Sequence, residues 1–193
     1  MSDFQESDVL SGLAHATSSE RDMSPLEAEV IALFDELRER LLRYLLTFRL
    51  LVIQDCEEIV QEAFLALFRH LQLGRSRHNL QAWLFRVVHN LALKRIQRTR
   101  RDSQSFVELS SGAAEFTADP ALNPEDALTL GETQRRLARA VEALPEQDRQ
   151  CLALRAEGLR YREIAAVLDM SLGSVSKSLE RSLGRIARVA ERC

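Results

Sequence analysis

The sequence predicts an all-α fold of two small helical domains joined by a flexible linker, the second containing a helix-turn-helix. Three observations point there. Ala, Leu, Glu and Arg abound, while only seven Gly and four Pro interrupt 193 residues. Apolar residues recur at three- and four-residue steps along most of the chain, and no segment alternates with the two-residue period of a strand. Between the two periodic stretches lie residues 102–123, with Ser103, Ser105, Ser110, Ser111, Gly112 and Pro120 and no basic residue. A flexible segment of that length spans roughly 25–30 Å on average, enough to let two modules dock separately.

Residues 1–24 are polar, mixed and without periodicity, and read as a flexible acidic arm. A first helix begins at Leu26, with Val30, Leu33, Phe34, Leu37, Leu41, Tyr44, Leu45 and Phe48 along one face. A second begins at Asp55, where Glu58 three positions on completes a capping-box pattern. Its apolar face is Ile59, Val60, Ala63, Phe64, Leu67, Phe68 and Leu71. Gln72–Asn79, with Gly74, forms a loop, and a third helix runs from Leu80 to about Arg101. Its core positions are Leu80, Trp83, Leu84, Val87, Val88, Leu91 and Ile96. These elements make a domain over 25–101. A second domain, 124–193, opens with Asn123–Pro124–Glu125–Asp126, an N-cap followed by an N1 proline and an acidic first turn. That helix runs to about Leu144, and Pro145 opens another that ends near Gly158. A short helix over Tyr161–Leu168, a turn at Asp169–Ser171 and a last helix from Leu172 complete the chain. Gly184 marks a bend in that last helix.

Composition excludes several classes. At 46% hydrophobic and 28% charged the chain can bury a core, which sets it apart from disordered proteins. Cys56, Cys151 and Cys193 lie far apart without a CxxC pair, and four scattered histidines complete no zinc pattern. No apolar run reaches ~18 residues, so no membrane insertion is expected. The acidic opening MSDFQESDVL is unlike a secretory signal, which places the protein in the cytoplasm. There is no glycine-rich phosphate loop, no HExxH and no paired ligand cluster, so neither an enzyme, nor a cofactor, nor a small-molecule substrate is expected.

The net charge of −3 conceals segregation. Residues 1–24 and 25–73 each carry −4, whereas 74–101 carry eight basic residues and no acid. Residues 102–134 then hold seven acids and no base, and 135–193 return to +4. Two cationic blocks between anionic ones suit a polyanion gripped at two places. In the first block Arg86, Asn90, Lys94, Arg98 and Arg101 follow one another at steps of four or three and form a stripe opposite the apolar face, flanked by His89 and Arg95. Arg75 and Arg77 extend the charge into the preceding loop. Such a stripe either binds a nucleic-acid strand or is a solvated face, and the absence of acids across 28 residues favours the first. Trp83 has core spacing but also lies where an unstacked base could be received. In the second block Ile164, Ala165 and Leu168 face inward, Met170 fills the turn, and Val175 and Leu179 anchor the last helix. Gly173, Ser174, Ser176, Lys177, Ser178, Glu180 and Arg181 face outward. Helix-turn-helix spacing also occurs in ordinary helical hairpins, but short polar residues on that face can reach base edges or phosphates.

Asp55 with Glu57-Glu58-Ile59-Val60-Gln61-Glu62-Ala63-Phe64, then Ala82-Trp83-Leu84, Asn90 and the basic run, resembles the first conserved domain of bacterial extracytoplasmic-function RNA polymerase sigma factors. Leu144–Pro145, Arg149, Leu152, Leu154, Gly158, Tyr161, Glu163–Ile164–Ala165, Leu168, Ser171, Gly173, Val175 and Leu179 resemble their second. The similarity covers roughly residues 26–101 and 125–187. It implies a transcription initiation factor that binds RNA polymerase core, recognises promoter DNA at two elements and helps to melt it. By this resemblance Asp55, Glu58, Gln61 and Glu62 dock on the clamp helices of the largest polymerase subunit. Arg75, Arg77, His78, Asn79, Trp83, Arg86, Asn90, Lys94 and Arg98 match the part that captures the minus-ten element. Flipping a base out of a duplex costs a few kcal/mol, so a fitted pocket converts binding energy into strand opening. Arg162, Ser171, Gly173, Ser174, Ser176, Lys177, Ser178 and Arg181 match the reader of the minus-thirty-five element. The implied partners are polymerase core, including its flap, promoter DNA and an anti-sigma factor.

One departure stands out. Family members commonly follow Gly-Thr-Val with Lys and Arg, whereas Gly173–Ser174–Val175 is followed by Ser176, Lys177 and Ser178, with Glu180 nearby. Glu180 either reads a cytosine amino group, pairs with Arg181 or faces solvent. Two other readings compete with the sigma factor. A free-standing helix-turn-helix repressor would need no acidic docking helix and would bring a dimer seam. A sigma-like adaptor or decoy would bind a regulatory partner in place of DNA, which the +8 block argues against.

Overall fold

A computed structural model describes residues 24–104 and 124–191; residues 1–23 and most of the expected linker lie outside the described residues. The described residues form seven α-helices: α1 Pro25–Leu45, α2 Ile53–Gln72, α3 Leu80–Gln104, α4 Pro124–Glu142, α5 Glu146–Ala156, α6 Tyr161–Leu168 and α7 Leu172–Ala190. No described residue is in a strand. No described helix is long and apolar enough to cross a membrane.

Helix α1 starts one residue earlier than the periodicity suggests, at Pro25. Ser24 is its N-cap: the Ser24 hydroxyl accepts from the Glu27 amide at 3.2 Å, and the Glu27 carboxylate accepts from the Ser24 amide at 2.9 Å. With Pro25 at the first helical position this is a complete capping box, so Ser24 belongs to the first domain and not to the arm. The expected box at Asp55 and Glu58 does not form. Helix α2 begins at Ile53 with Val52 as N-cap and no side-chain cap, and both carboxylates instead take hydrogen bonds from Arg95 of α3. Helix α3 continues through Gln104, three residues past the expected end.

Helices α1, α2 and α3 enclose one core. Tyr44, Phe48 and Phe85 meet edge-on with centroids 5.6 Å apart around Tyr44, and Phe34 meets Phe64 in the same way at 5.0 Å. Phe85 and Ala92, absent from the expected core, are fully buried because the apolar face of α3 is two residues wide at Leu84. His89 is also buried and does not flank the basic stripe. The Tyr44 hydroxyl lies 2.8 Å from His89 Nδ1. Burial lowers the pKa of His89 and raises that of Tyr44, so Tyr44 donates and a neutral imidazole accepts. An imidazole whose folded pKa lies below its unfolded value of about 6.5 is stabilising above that value, and this contribution is lost as pH falls through the folded pKa. Thermal midpoints are therefore expected to drop between about pH 7.5 and about pH 5.5, and less steeply for His89→Gln. Equal slopes in the two proteins would show that His89 does not titrate on unfolding.

In the second domain α7 packs on α4, α5 and α6 around Leu154, Leu159, Ile164, Val167, Val175 and Leu179. Gly158, with φ +87°, turns the chain from α5 toward α6. Met170 is half-buried in the turn, as its spacing implied, and Cys151 lies fully inside. Burial pushes the Cys151 thiol up and Cys56 up to about 11, so both are inert core residues.

The two domains touch. Helix α3 packs on α6, and α1 on α5. Arg149 of α5, buried to 7% exposure, donates from Nε and Nη2 to the Thr47 carbonyl at 3.0 and 2.8 Å, and from Nη1 to the Leu144 carbonyl at 3.2 Å. A guanidinium thus closes the carboxyl end of α1, where the helix dipole favours a cation.

Candidate nucleic-acid interface

The loop between α2 and α3 is held at both ends. Helix α2 ends in a Schellman arrangement: Gly74, at φ +66°, donates to the Leu71 carbonyl at 2.9 Å, and Arg75 donates to the His70 carbonyl at 3.2 Å. At the other end Asn79, at φ +53°, starts α3, its Oδ1 accepting from the Ala82 amide at 3.2 Å. Between them Arg75, Ser76, Arg77 and His78 are exposed. The Ser76 hydroxyl accepts from the His78 amide at 3.2 Å, and Arg77 reaches Glu29 of α1 at 2.6 Å. That ion pair is open to solvent and worth about 0–1 kcal/mol, so Arg77 can exchange it for a phosphate at little cost. Asn79 Nδ2 donates to Glu163 of α6 at 2.7 Å, which ties this loop to the second domain.

Helix α3 carries the stripe as expected. Arg86, Asn90, Lys94, Arg98 and Arg101 are all exposed. Arg95 lies beside it but is committed elsewhere, its pKa raised by the hydrogen bond it donates to Glu58. Trp83 is half-buried against the core, and its ring lies 4.7 Å from that of His70 at the mouth of the loop.

On α2 the residues Cys56, Ile59, Val60, Ala63, Phe64, Leu67 and Leu71 are buried, and the opposite face shows Glu57, Glu58, Gln61, Glu62 and Leu65. The four expected docking residues divide. Gln61 and Glu62 are free on this face, while Asp55 and Glu58 staple α2 to α3 through Arg95. Glu58 remains half-exposed, with 51% of its side chain accessible, so it still contributes to the anionic surface.

In the helix-turn-helix, α6 buries Ile164 and Val167, and Asp169 at φ +52° turns the chain into α7. Ser171 is the N-cap of α7, its hydroxyl accepting from the Ser174 amide at 3.1 Å and lying 2.8 Å from the Ser174 hydroxyl. Gly173, Ser174 and Lys177 are exposed, as is Arg162 on α6. Ser178, expected on the outer face, is fully buried, and its hydroxyl donates to Asp148 Oδ1 at 2.7 Å. It lies three positions after Val175 and one before Leu179, which puts it on the inner face of the helix. Arg181 also turns to Asp148, Nη2 donating to Oδ1 at 2.7 Å and Nε to Oδ2 at 3.3 Å. This guanidinium holds the Asp148 carboxyl below the usual carboxylate range. Glu180 neither reaches Arg181 nor stands free: it accepts from the Ser176 hydroxyl at 3.0 Å. Lys177 is left as the exposed cation in the first two turns of α7, beside Leu172, which is 47% exposed. Leu172 was not singled out by its sequence pattern. An apolar side chain there suits a thymine methyl group.

Residues 33–102 match the Sigma-70 region 2 family and residues 134–186 match Sigma-70 region 4. The chain is similar to the ECF RNA polymerase sigma-E factor of Escherichia coli K12, 34% identical over 134 residues, 66% of this chain and 70% of that protein. It is 33% identical over 135 residues to the RNA polymerase sigma-H factor of Pseudomonas aeruginosa, covering 67% and 69%. Among solved structures it is similar to the sigma factor RpoE in its complex with the anti-sigma factor NepR from Bartonella quintana, with a TM-score of 0.60 at 19% identity over 83% of this chain and 97% of that one. It is also similar to CnrH in complex with the cytosolic domain of CnrY, with a TM-score of 0.53 at 20% identity over 95% and 96%. At these identities the two structures speak to fold alone.

Proposed function

The chain belongs to the extracytoplasmic-function RNA polymerase sigma factors, and from that premise we propose how its surfaces divide the work of starting transcription. The chain is a transcription initiation factor; nucleotide addition belongs to the polymerase, with which we place it in the cytoplasm. Gln61 and Glu62, with the accessible part of Glu58, dock on the clamp helices of polymerase core. The braced loop Arg75–Asn79 and the stripe Arg86, Asn90, Lys94 and Arg98 take the minus-ten element and hold it open, with Trp83 beside the base that leaves the stack. The exposed first turns of α7, through Ser174, Lys177 and Leu172, read the minus-thirty-five element together with Arg162. An anti-sigma factor, as NepR is for the sigma factor RpoE of Bartonella quintana, is the expected antagonist.

The observation that carries this reading is the α3 stripe, five exposed polar or basic residues on a helix that has no acid before Asp102, reached through a loop fixed at both ends. Run-off transcription with purified core polymerase on a genomic fragment library tests it. The full chain is expected to start RNA from a discrete set of templates, and failure to start any ends the proposal. Lys94→Ala with Arg98→Ala is expected to slow promoter opening while core binding is kept, and to lower the salt slope of promoter association by about 2. Gln61→Arg with Glu62→Arg is expected to do the reverse, weakening core binding at least about tenfold with little change on isolated DNA. Equal losses in both assays for either pair would remove its assignment.

A further inference from the structure

We infer that His70, on α2, is a positioning residue that fixes the shape of the minus-ten loop and so determines which base the loop accepts; the inference rests on the reading of that loop given above. His70 grips the loop twice. Its backbone carbonyl takes the Arg75 amide at 3.2 Å, and its Nε2 lies 2.9 Å from the Ser76 carbonyl. A carbonyl only accepts, so Nε2 carries the proton and donates. The same imidazole leans on Trp83, ring centroids 4.7 Å apart at 43°. One side chain therefore joins three parts of the site: the end of α2, the middle of the loop and the first turn of α3.

The mechanical consequence follows from what the loop lacks. Its exposed residues Arg75, Ser76, Arg77 and His78 bury no apolar side chain that could hold them. Between the Schellman turn at Gly74 and the cap at Asn79, the contacts that restrain the backbone are the His70–Ser76 bond and the turn closed by the Ser76 hydroxyl on the His78 amide. Arg77 to Glu29 is a solvent-exposed pair that a phosphate displaces. A flipped base is selected by donors and acceptors held in place before it arrives, because a loop that must order on binding gives up discrimination along with affinity. The Ser76 carbonyl is the central acceptor of this loop, and His70 fixes its direction.

Two variants separate the donor from the ring. His70→Phe keeps an aromatic ring against Trp83 and removes the hydrogen bond; His70→Gln places an amide NH2 near the Nε2 position and removes the ring. The full chain with core polymerase is assayed on promoters carrying each single-base change in the minus-ten element, alongside core affinity and thermal midpoint. We expect His70→Phe to slow opening of the preferred promoter about tenfold and to compress discrimination among minus-ten variants to about twofold, with core affinity unchanged. His70→Gln should recover at least half of both effects. Wild-type discrimination in His70→Phe overturns the assignment, as does a His70→Gln protein no better than His70→Phe. If Lys94→Ala with Arg98→Ala slows opening while His70→Phe does not, only the role of His70 falls. If neither does, the reading of the loop and stripe falls with it.

Discussion

Asp148→Ala is expected to destabilise the second domain by about 2–4 kcal/mol and to leave the upstream DNA element poorly read, whereas Asp148→Asn costs about 1–2 kcal/mol. Asp148 is 2% exposed and its two oxygens serve Ser178 and Arg181 together, so it is the bond between α5 and the inner face of α7. Removing it strips the acceptor from a fully buried hydroxyl, which costs about 1–3 kcal/mol. The loss on the Arg181 side is smaller, because 57% of that side chain is in water and remains hydrated without its partner. Asparagine keeps an oxygen for Ser178 and Arg181 Nη2, and gives up the charge and the second acceptor used by Arg181 Nε, which stays hydrated, hence the smaller figure. The two variants differ again in acid. A carboxyl held low in the native state stabilises the fold above the unfolded value of about 3.9, and this contribution is lost as pH falls through the native value. Denaturation of the full chain at pH 7 and at about pH 3.5 should show the wild type losing more stability than Asp148→Asn between the two. Equal losses would mean that the native fold does not hold the Asp148 carboxyl below its unfolded value.

The same aspartate marks the limit of what the sequence discloses. Helices α6 and α7 were legible almost to the residue, because Ser171 is a capping residue and Ile164, Val175 and Leu179 keep helical spacing. The stripe on α3 was legible for the same reason: one helix, one period, no partner needed. What failed were pairings across helices. Asp55 and Glu58 look like a capping box to any local rule, and only the approach of Arg95, 37 and 40 residues away, diverts them. Ser178 looks like one more short polar residue on an outer face until Asp148 of α5 is seen beneath it. His70 carries no local signal, since its partners Ser76 and Trp83 come together only when the loop closes. Pattern reports which way a residue points along its own helix, and the site is built where two helices meet.

Glu157→Arg is expected to part the two domains. Glu157 terminates α5 with only 10% of its side chain exposed, and it receives Arg40 at 3.0 Å and Arg43 at 3.0 and 3.2 Å, both from α1. Its carbonyl also accepts from Gln81 at 3.0 Å and from Arg40. Together with Asn79 on Glu163, these bonds hold the start of α3 against the helix-turn-helix. Promoter elements named for positions ten and thirty-five lie about 25 base pairs apart, or about 85 Å along the duplex at ~3.4 Å per pair. Two domains in contact cannot occupy both, so the contact must open before the chain grips a promoter at both ends. The contact is mainly charged and polar, which makes it sensitive to salt. Charge-assisted hydrogen bonds of this kind contribute about 1.5–3 kcal/mol each, less where water reaches them, so losing the group as a whole shifts the closed-to-open ratio by about tenfold to a hundredfold. Small-angle scattering of the full chain should give a larger radius of gyration for Glu157→Arg than for the wild type at low salt, and the two should converge as salt is raised. Affinity for DNA carrying both elements should rise in the variant by up to the same factor, while affinity for a fragment carrying one element stays level. Equal dimensions at low salt would show that Arg40, Arg43 and Glu157 do not hold the domains together.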